Sequence, residues 1–534
     1  MVSIPVSDTS SPVYRILPGT GYDGVVRVST GSVYGTGTLL PGGRHMLTAA
    51  HVVEDAVLTG LKVFLSLPGA ETTLSAATLT LHPAYQPTNV NNDLAIIRLS
   101  EPAPAGAERF DIYRDGDEVG QGVTLVGYGA PATGATGLTQ VSETPTKRAG
   151  TNRIDAGTDT LKTQPLAGVG WQIEPDKQLA LDFDDGTPAR DALGRLLGRS
   201  DLGQGASEVF ISPGDSGGPL LIDGKIAGLA SYTFGVSLGA TGPDVNNRTD
   251  SSFGEIGSAV RVFSYAEWID RTLRADLPDV PTQPEAVARE IAEGNNGTSL
   301  AYFLVQLGEP GPAGGSVDYR TLDGTARAGE DYVAASGRLV LYPGETSAVI
   351  AVEVIGDTRA EGPETFFLEV FNPQGGTFVA GLGQLRATRT ILDDDGAIPL
   401  PVIAVADPWG SGTGKHVLAL TSLYNTALDR APDDAGLAFW VGQAEGGQDY
   451  TSLASAFLGS QEFRDRFGTD LGPELLVPLL YRNAFGREPE PEGFSHWTAQ
   501  MQAGMSPAEL LHAVALSPEA RMHVAPMDDG YWYV

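Results

Sequence analysis

The sequence predicts a multidomain chain that is β-rich as far as residue 395 and all-α from residue 415. Three observations carry this. First, 534 residues exceed what one hydrophobic core organises, and at roughly 150 residues per domain they divide into three or four. Second, 41% hydrophobic residues with 68 Gly and 36 Pro describe short strands and many turns, and runs such as "GRLVLY" and "SAVIAVEVI" alternate apolar and polar side chains. Third, "LYNTALDRAPDDAGLAFW" (423–440) recurs as "LYRNAFGREPEPEGFSHW" (480–497), an internal repeat whose apolar residues fall at helical spacing.

In chain order, a first region over 1–277 ends on the helix-like "FSYAEWIDRTLRADL", and Pro278, Pro281 and Pro284 stiffen a linker over 278–284. Residues 285–395 alternate with turn signals between, close on "ILDDD", and predict a small β-sandwich. A second linker follows over 396–414. The helical region, 415–534, pairs Tyr424 with Tyr481, Ala427 with Ala484 and Trp440 with Trp497, so each unit is two or three short helices that bury a core only together.

Acidic residues outnumber basic ones 66 to 34, and a net charge of −32 repels nucleic-acid phosphates and anionic membranes. No nucleic-acid partner is expected. The absence of cysteine excludes disulfides, thiolate metal sites and a Cys nucleophile. Neither a basic-then-apolar leader nor a run of about 18 apolar residues occurs, so no membrane span is expected.

Three segments of the first region carry chemistry in the order His, Asp, Ser: "LTAAH" ending at His51, "NNDLAIIRL" with Asp93, and "GDSGGP" with Ser216. Attack on an amide needs a hydroxyl, a base that takes its proton and passes it to the leaving amine, and a buried carboxylate that orients that base. Gly214 lets the backbone turn so that its N–H and that of Ser216 converge as an oxyanion hole, each donor contributing ~3–4 kcal/mol.

These segments, with "GTGTLLPGGRHMLTAAHVV", "GVTLVGYG", "GDSGGPLLIDGKIAGLASY" and "RVFSYAEWID", resemble the chymotrypsin-like (trypsin-like) serine proteases over about residues 22–275. The resemblance implies an all-β double antiparallel β-barrel of six strands each, a serine endopeptidase acting on protein or peptide substrates, His51 as base, Asp93 as its orienting carboxylate, Ser216 as nucleophile, and Ser231 beside Asp93. It also implies a substrate-binding pocket formed by Phe210, Ile211, Ser231, Tyr232 and Thr233. Phe210 stands where trypsins hold an acid and Thr233 where the family has glycine, so small or medium aliphatic side chains are expected before the scissile bond, with Glu208 able to reverse this. Val52 and Ser212 replace the family's cysteines, leaving the barrels to hold by packing. Arg15 followed by Ile16 in "YRILPGTG" is a candidate activation cleavage, with an ordinary coil as the alternative because Pro18 replaces the family's glycine.

In the second region Glu293, Asp331, Asp357, Glu361, Glu364, Asp393, Asp394 and Asp395 cluster in loops, and carboxylates that meet repel one another unless a cation sits among them. "VDYRTLDGTARAGEDYVAASGRLVLYPGETSAVIAVEVIGDTRAEGPETFFLEVFNP" is similar to the Calx-β domain, which implies an immunoglobulin-like β-sandwich with those eight acids as Ca2+ ligands. The repeat resembles a helical domain of unknown function of bacterial extracellular proteins, which implies attachment to a cell-surface or matrix partner. An acidic chain ending "MDDGYWYV" resembles substrates of type I secretion, so a secreted or cell-surface location is expected. A surface adhesion or matrix protein carrying an inactive protease fold is the alternative reading.

Overall fold

The computed structural model describes residues 2–139, 145–163, 173–236, 242–306, 314–359, 361–376, 384–395, 413–430, 432, 434–469, 471–485, 487, 489–517, 520 and 531–533. Most of the linker expected over 396–414 lies outside them.

Strands β1 (Val25–Ser29), β2 (Tyr34–Leu39), β3 (His45–Thr48), β4 (Lys62–Leu67), β5 (Ala70–Leu81) and β6 (Ala95–Leu99) close into a barrel in the order β1-β2-β3-β6-β5-β4. All its pairings are antiparallel. Alternation sends Val26, Val28, Val63, Leu65, Ile97 and Leu99 inward, each fully or nearly fully buried. A short helix α1 (Ala50–Val53) follows β3 directly.

The second half of this region holds β7 (Gly122–Gly127), a small hairpin of β8 (Ala132–Thr133) and β9 (Gly137–Leu138), then β10 (Arg148–Arg153), β11 (Ala156–Gly157), β12 (Gln178–Asp182), β13 (Pro219–Ile222), β14 (Lys225–Phe234) and β15 (Ile256–Arg261). Its sheet runs β10-β7-β13-β14-β15-β12-β11, seven strands where the resemblance implies six. The difference has a simple cause. The outermost strands β10 and β11 are one segment bent at Ile154 and Asp155, so one chain pairs with both ends of the sheet and curls it into the second barrel. Helix α2 (Ala192–Leu197) lies on the connection after β12, and α3 (Ala266–Ala275) closes the region.

The sandwich stacks the sheet β16-β22-β21-β18-β19 on β20-β17-β23. Its strands are β16 (Glu290–Ala292), β17 (Thr298–Gln306), β18 (Gly315–Asp323), β19 (Ser336–Leu341), β20 (Ser347–Ile355), β21 (Glu364–Gln374), β22 (Gln384–Leu392) and, from the end of the chain, β23 (Tyr531–Tyr533). Phe303, Val305, Val352, Val354, Phe366 and Leu368 face one another between the sheets. The sandwich docks on the barrels through Arg109 to Glu353, Tyr342 to Asp270 and Arg274 to Glu345, with Asp270 also held by Arg114 of its own domain.

The helical region comprises α4 (Thr413–Leu428), α5 (Asp434–Glu445), α6 (Tyr450–Leu458), α7 (Gln461–Phe467), α8 (Pro473–Phe485), α9 (Pro491–Gln502) and α10 (Pro507–Ala515). The ends of α4, α5 and α6 at Leu428, Glu445 and Leu458 recur at Phe485, Gln502 and Ala515, each 57 residues on. Capping recurs with them: Asp449 accepts from the Ser452 N–H, and Ser506 forms a capping box with Glu509. Both sets of helices share one core, including Leu420, Leu423, Leu480, Leu510 and Val514, with Trp440 and Trp497 packed against it. Among the described residues no helix is long and apolar enough to cross a membrane.

Candidate active site

His51 enters from the first barrel because β3 runs straight into α1, whose first turn carries the imidazole. Asp93 precedes β6, on a turn where Asn92 adopts φ +56°. That turn is held from three sides. The Asn92 amide donates to Ala84 O at 3.0 Å and to Glu174 Oε1 at 3.1 Å, and its Oδ1 accepts from the Tyr265 hydroxyl at 3.0 Å.

Ser216 comes from the second barrel, on the turn before β13. The turn needs its glycines. At Gly214 φ is +99°, and at Gly217 φ is +81° with Thr36 O and Thr48 Oγ1 each 2.4 Å from where a Cβ would stand. Asp215, buried behind the turn, accepts from the N–H groups of Ser212 at 2.9 Å and Gly129 at 2.7 Å, and burial raises its pKa.

The barrels bring the three side chains into one line. His51 Nε2 lies 2.9 Å from Ser216 Oγ, and its Nδ1 lies 2.7 Å from Asp93 Oδ2. Asp93 is fully buried, its Oδ1 accepts the His51 backbone N–H at 2.9 Å, and its Oδ2 accepts the Ser231 hydroxyl at 2.5 Å. Burial alone would lower the imidazole pKa, but the hydrogen bond and charge of Asp93, with a further contribution from Glu54, outweigh it and leave the pKa raised above 6.5.

Among the described residues no acceptor takes the N–H of Gly214 or of Ser216, although the carbonyls of both are bonded, to the Thr36 hydroxyl and the Thr36 N–H. Two free donors beside the Ser216 hydroxyl form a place for a developing oxyanion.

Of the expected pocket residues, Phe210 and Ile211 are buried in the second barrel's core. The Phe210 ring stacks on Phe183 with centroids 5.4 Å apart, and a Cβ on Gly257 would meet Phe210 Cε2 and Ile211 Cδ1 at 3.1 Å. Both belong to that core cluster, with Val209, Phe183 and Leu220. Tyr232 and Thr233 are half-buried on β14, and the Tyr232 hydroxyl donates to Gln178 Oε1 at 2.7 Å. Glu208 is buried and accepts from the N–H groups of Asp184 and Gln204.

Val52 packs in the first core and Ser212 donates to Ala130 O at 2.8 Å, so packing and hydrogen bonds occupy the positions of the missing cysteines. Ile16 does not reach the turn of Asp215; its N–H donates to Lys147 O at 3.0 Å. The segment beside that turn is Val2–Ile4, with Ser3 paired to Phe210 and both apolar neighbours buried. The alternation of Val2, Ser3 and Ile4 is the sequence signal for this strand-like insertion.

In the sandwich, carboxylate oxygens of Asp331, Glu361 and Glu364 lie within 4.8 Å of one another. Asp393 accepts the Glu361 N–H at 2.5 Å and the Asp395 N–H at 2.7 Å, Asp394 accepts the Gly294 N–H at 2.9 Å, and Asp357 accepts the Arg359 N–H at 2.6 Å. Burial, then the charges of Asp357, Asp393 and Glu361, push Glu293 up to about 7. Burial, then Asp331, Glu361 and Glu293, does the same to Glu364. All eight acids thus lie at one end of the sandwich, and Asp395 Oδ2 is buried there without a hydrogen-bond partner.

Comparison with known proteins agrees with this division. Residues 18–168 match the family model described as Trypsin, residues 302–395 the Calx-beta domain, and residues 419–453 and 454–524 the Domain of unknown function (DUF4214). The chain therefore carries a trypsin-like serine protease domain, a Calx-beta domain and a helical C-terminal region of that third family. The Trypsin match contains His51 and Asp93 and stops short of Ser216, which only the folded chain brings beside them.

Sodium/calcium exchanger 2 of Rattus norvegicus is 40% identical over 116 residues, and Sodium/calcium exchanger Calx of Drosophila melanogaster is 44% identical over 82. These matches cover 19% and 15% of this chain, and only 12% and 8% of the relatives' own length. Among solved structures, neuropsin, a serine protease expressed in the limbic system of mouse brain, aligns at 19% identity and a TM-score of 0.35 over 49% of this chain and 98% of its own.

Proposed function

We propose that the chain is a secreted serine endopeptidase whose Calx-beta domain binds calcium and whose helical region attaches it to a cell-surface or matrix partner. The observation that carries the catalytic part is the continuous line Asp93, His51, Ser216, with two free N–H groups beside the hydroxyl. His51 takes the Ser216 proton as Oγ attacks the peptide carbonyl, and Asp93 steadies the imidazolium that forms. The N–H groups of Gly214 and Ser216 hold the tetrahedral oxyanion. The same imidazolium then protonates the leaving amine, and a water repeats the sequence on the acyl-enzyme. The Thr233 side chain on β14 supports small or medium aliphatic residues before the scissile bond.

The calcium part draws on the relatives, named as sodium/calcium exchangers, and on a donor set made only of carboxylate oxygens, which suits a hard cation. Asp331, Glu361 and Glu364 would hold the ion with the acids around them. Its contribution is structural, cancelling repulsion among loops that otherwise oppose one another. Secretion by the type I route is the reading that suits an acidic chain with these modules.

A fluorophosphonate probe tests the catalytic reading, with labelling expected on wild type and lost in Ser216→Ala. Equal labelling of both, or of neither, removes it and favours the adhesive reading. Cleavage-site profiling on a peptide library then reads the pocket. Chelation is expected to lower the melting temperature of the full chain.

A further inference from the structure

We propose that Asp182, Asp184 and Asp191 form a second divalent-cation site, of calcium type, inside the protease domain and separate from the carboxylates of the sandwich. Asp182 ends β12, Asp184 follows on the loop and Asp191 precedes α2. One carboxylate oxygen from each lies within 4.8 Å of the other two, and the three residues are only 2%, 3% and 2% exposed.

A cluster of acids by itself would be a solvated or proton-sharing group. Here Asp184 Oδ1 is buried and has no hydrogen-bond partner, so one lone-pair face of an almost fully buried carboxylate is left for a ligand. The other two are oriented by the chain. Asp182 Oδ2 accepts the Leu193 N–H at 2.6 Å, Asp191 Oδ1 accepts the Gly194 N–H at 2.6 Å, and Asp191 Oδ2 accepts the Ser200 hydroxyl at 2.9 Å and the Asp201 N–H at 3.2 Å. Asp182 Oδ2 and Asp191 Oδ1 accept one hydrogen bond each and keep a lone pair for a metal, while Asp191 Oδ2 accepts two.

Among the described residues no Lys or Arg is ion-paired with any of the three. The nearby guanidinium of Arg153 is paired with Asp201 instead, at 3.0 Å. The charges that face Asp184, those of Glu208, Asp191, Asp155 and Asp201, all belong to acids. Taking three carboxylates out of water with no cation is costly, and a dication among them removes most of that cost. A cavity of about 200 Å³ is lined by Leu193, Ser200 and Asp201, whose N–H or hydroxyl groups bond to Asp182 and Asp191, and also by Asp155, Arg153 and Arg199. Calcium accepts such irregular oxygen sets at variable coordination number, whereas magnesium demands a near-ideal octahedron.

The position gives the ion a role. Phe183, between two of the ligands, stacks on Phe210, and the Asp184 N–H donates to Glu208 Oε1 at 2.7 Å. A cation here would pin the loop that packs against Phe210 in the core of the second barrel.

Hydrogen exchange of the full chain, resolved by peptide, tests this with calcium alone as the probe. At free calcium ten times the dissociation constant, exchange over residues 182–201 is expected to slow about tenfold, with magnesium doing less. Asp184→Asn should abolish that slowing while leaving calcium protection over residues 331–395 intact. Absence of calcium-dependent slowing over 182–201 in wild type overturns the proposal, a result that needs no variant to fold. Persistence of the slowing in Asp184→Asn overturns it as well.

Discussion

Replacing Arg109 by Met is expected to cost more stability than replacing it together with its partner Glu353. Arg109 lies between the first barrel and the sandwich, with its side chain 7% and that of Glu353 2% exposed. Its five donors are all used. Nε and Nη2 bind the two Glu353 oxygens at 2.9 and 2.7 Å, Nη1 donates to Pro104 O and Ala107 O, and Nη2 also donates to Ala103 O at 3.0 Å. In Arg109→Met the Glu353 carboxylate keeps only the Thr298 hydroxyl, at 3.3 Å, in a buried site. Breaking one side of a buried pair costs about 3–5 kcal/mol, because the surviving charge stays out of water without compensation. Arg109→Met/Glu353→Leu removes that charge, so the double variant should recover much of the loss, and the cycle should give an interaction energy of about 1–3 kcal/mol. Urea unfolding of the full chain, followed by tryptophan fluorescence with Trp268 on α3 as a local reporter, measures all four corners. A cost below about 1 kcal/mol for Arg109→Met, or additivity of the two substitutions, would refute the claim that this pair is buried and joins the two domains.

Three further outcomes follow from the site. Because His51 must be neutral to accept the Ser216 proton and its pKa is raised, the acid limb of kcat/KM should fall above pH 6.5, and Glu54→Gln should move it downward. The stability this pair adds is fully present below the unfolded imidazole value and is lost as pH rises through the raised one, which thermal melts across that window would register. On the proposed calcium reading, Glu293 and Glu364, both pushed up to about 7, hold protons that a bound ion would have to displace, so titration calorimetry should find tighter binding at pH 8 than at pH 6; without an ion their stabilising contribution is lost as pH rises from 4.5 through about 7. Thr233→Gly should widen the pocket mouth and raise kcat/KM for larger side chains by roughly 10–200-fold relative to small ones, and unchanged preferences in library profiling would count against Thr233 as the constriction.

Much of this was legible because the chemistry forces local sequence. A nucleophile turn cannot tolerate a side chain at Gly217, where Thr36 O and Thr48 Oγ1 stand 2.4 Å away, so "GDSGGP" announces its own conformation. Asp93 was legible as a short motif just before β6, and Ser231, inside β14, through the family resemblance. Long-range closure was not. Nothing in "RAGTNRIDAG" says that its halves pair with β7 and β12 at opposite ends of one sheet, because strand pairing depends on partners more than 20 residues away. Arg15 followed by Ile16 is a candidate activation cleavage, and in the intact chain the segment paired to Phe210, just upstream of the Asp215 turn, is Val2–Ile4, whose short alternation is its only local signal.

The two acidic groups differ in the same respect. The sandwich acids stand out because they crowd into loops between alternating strands, where a run such as "ILDDD" has no hydrophobic reason to exist. Asp182, Asp184 and Asp191 are harder to see. In "LALDFDDGTPARDALGR" they read as the polar punctuation of a strand end, a turn and a helix cap, and each does accept or flank such a bond. Their second role appears only when β12 and the segment before α2 are folded back on each other and three carboxylates are enclosed together. A capping acid that stays in water needs no further partner; one sealed at 2–3% exposure beside two others does. Burial therefore separates the two meanings of these aspartates, and burial is the property that a reading of adjacent residues supplies least.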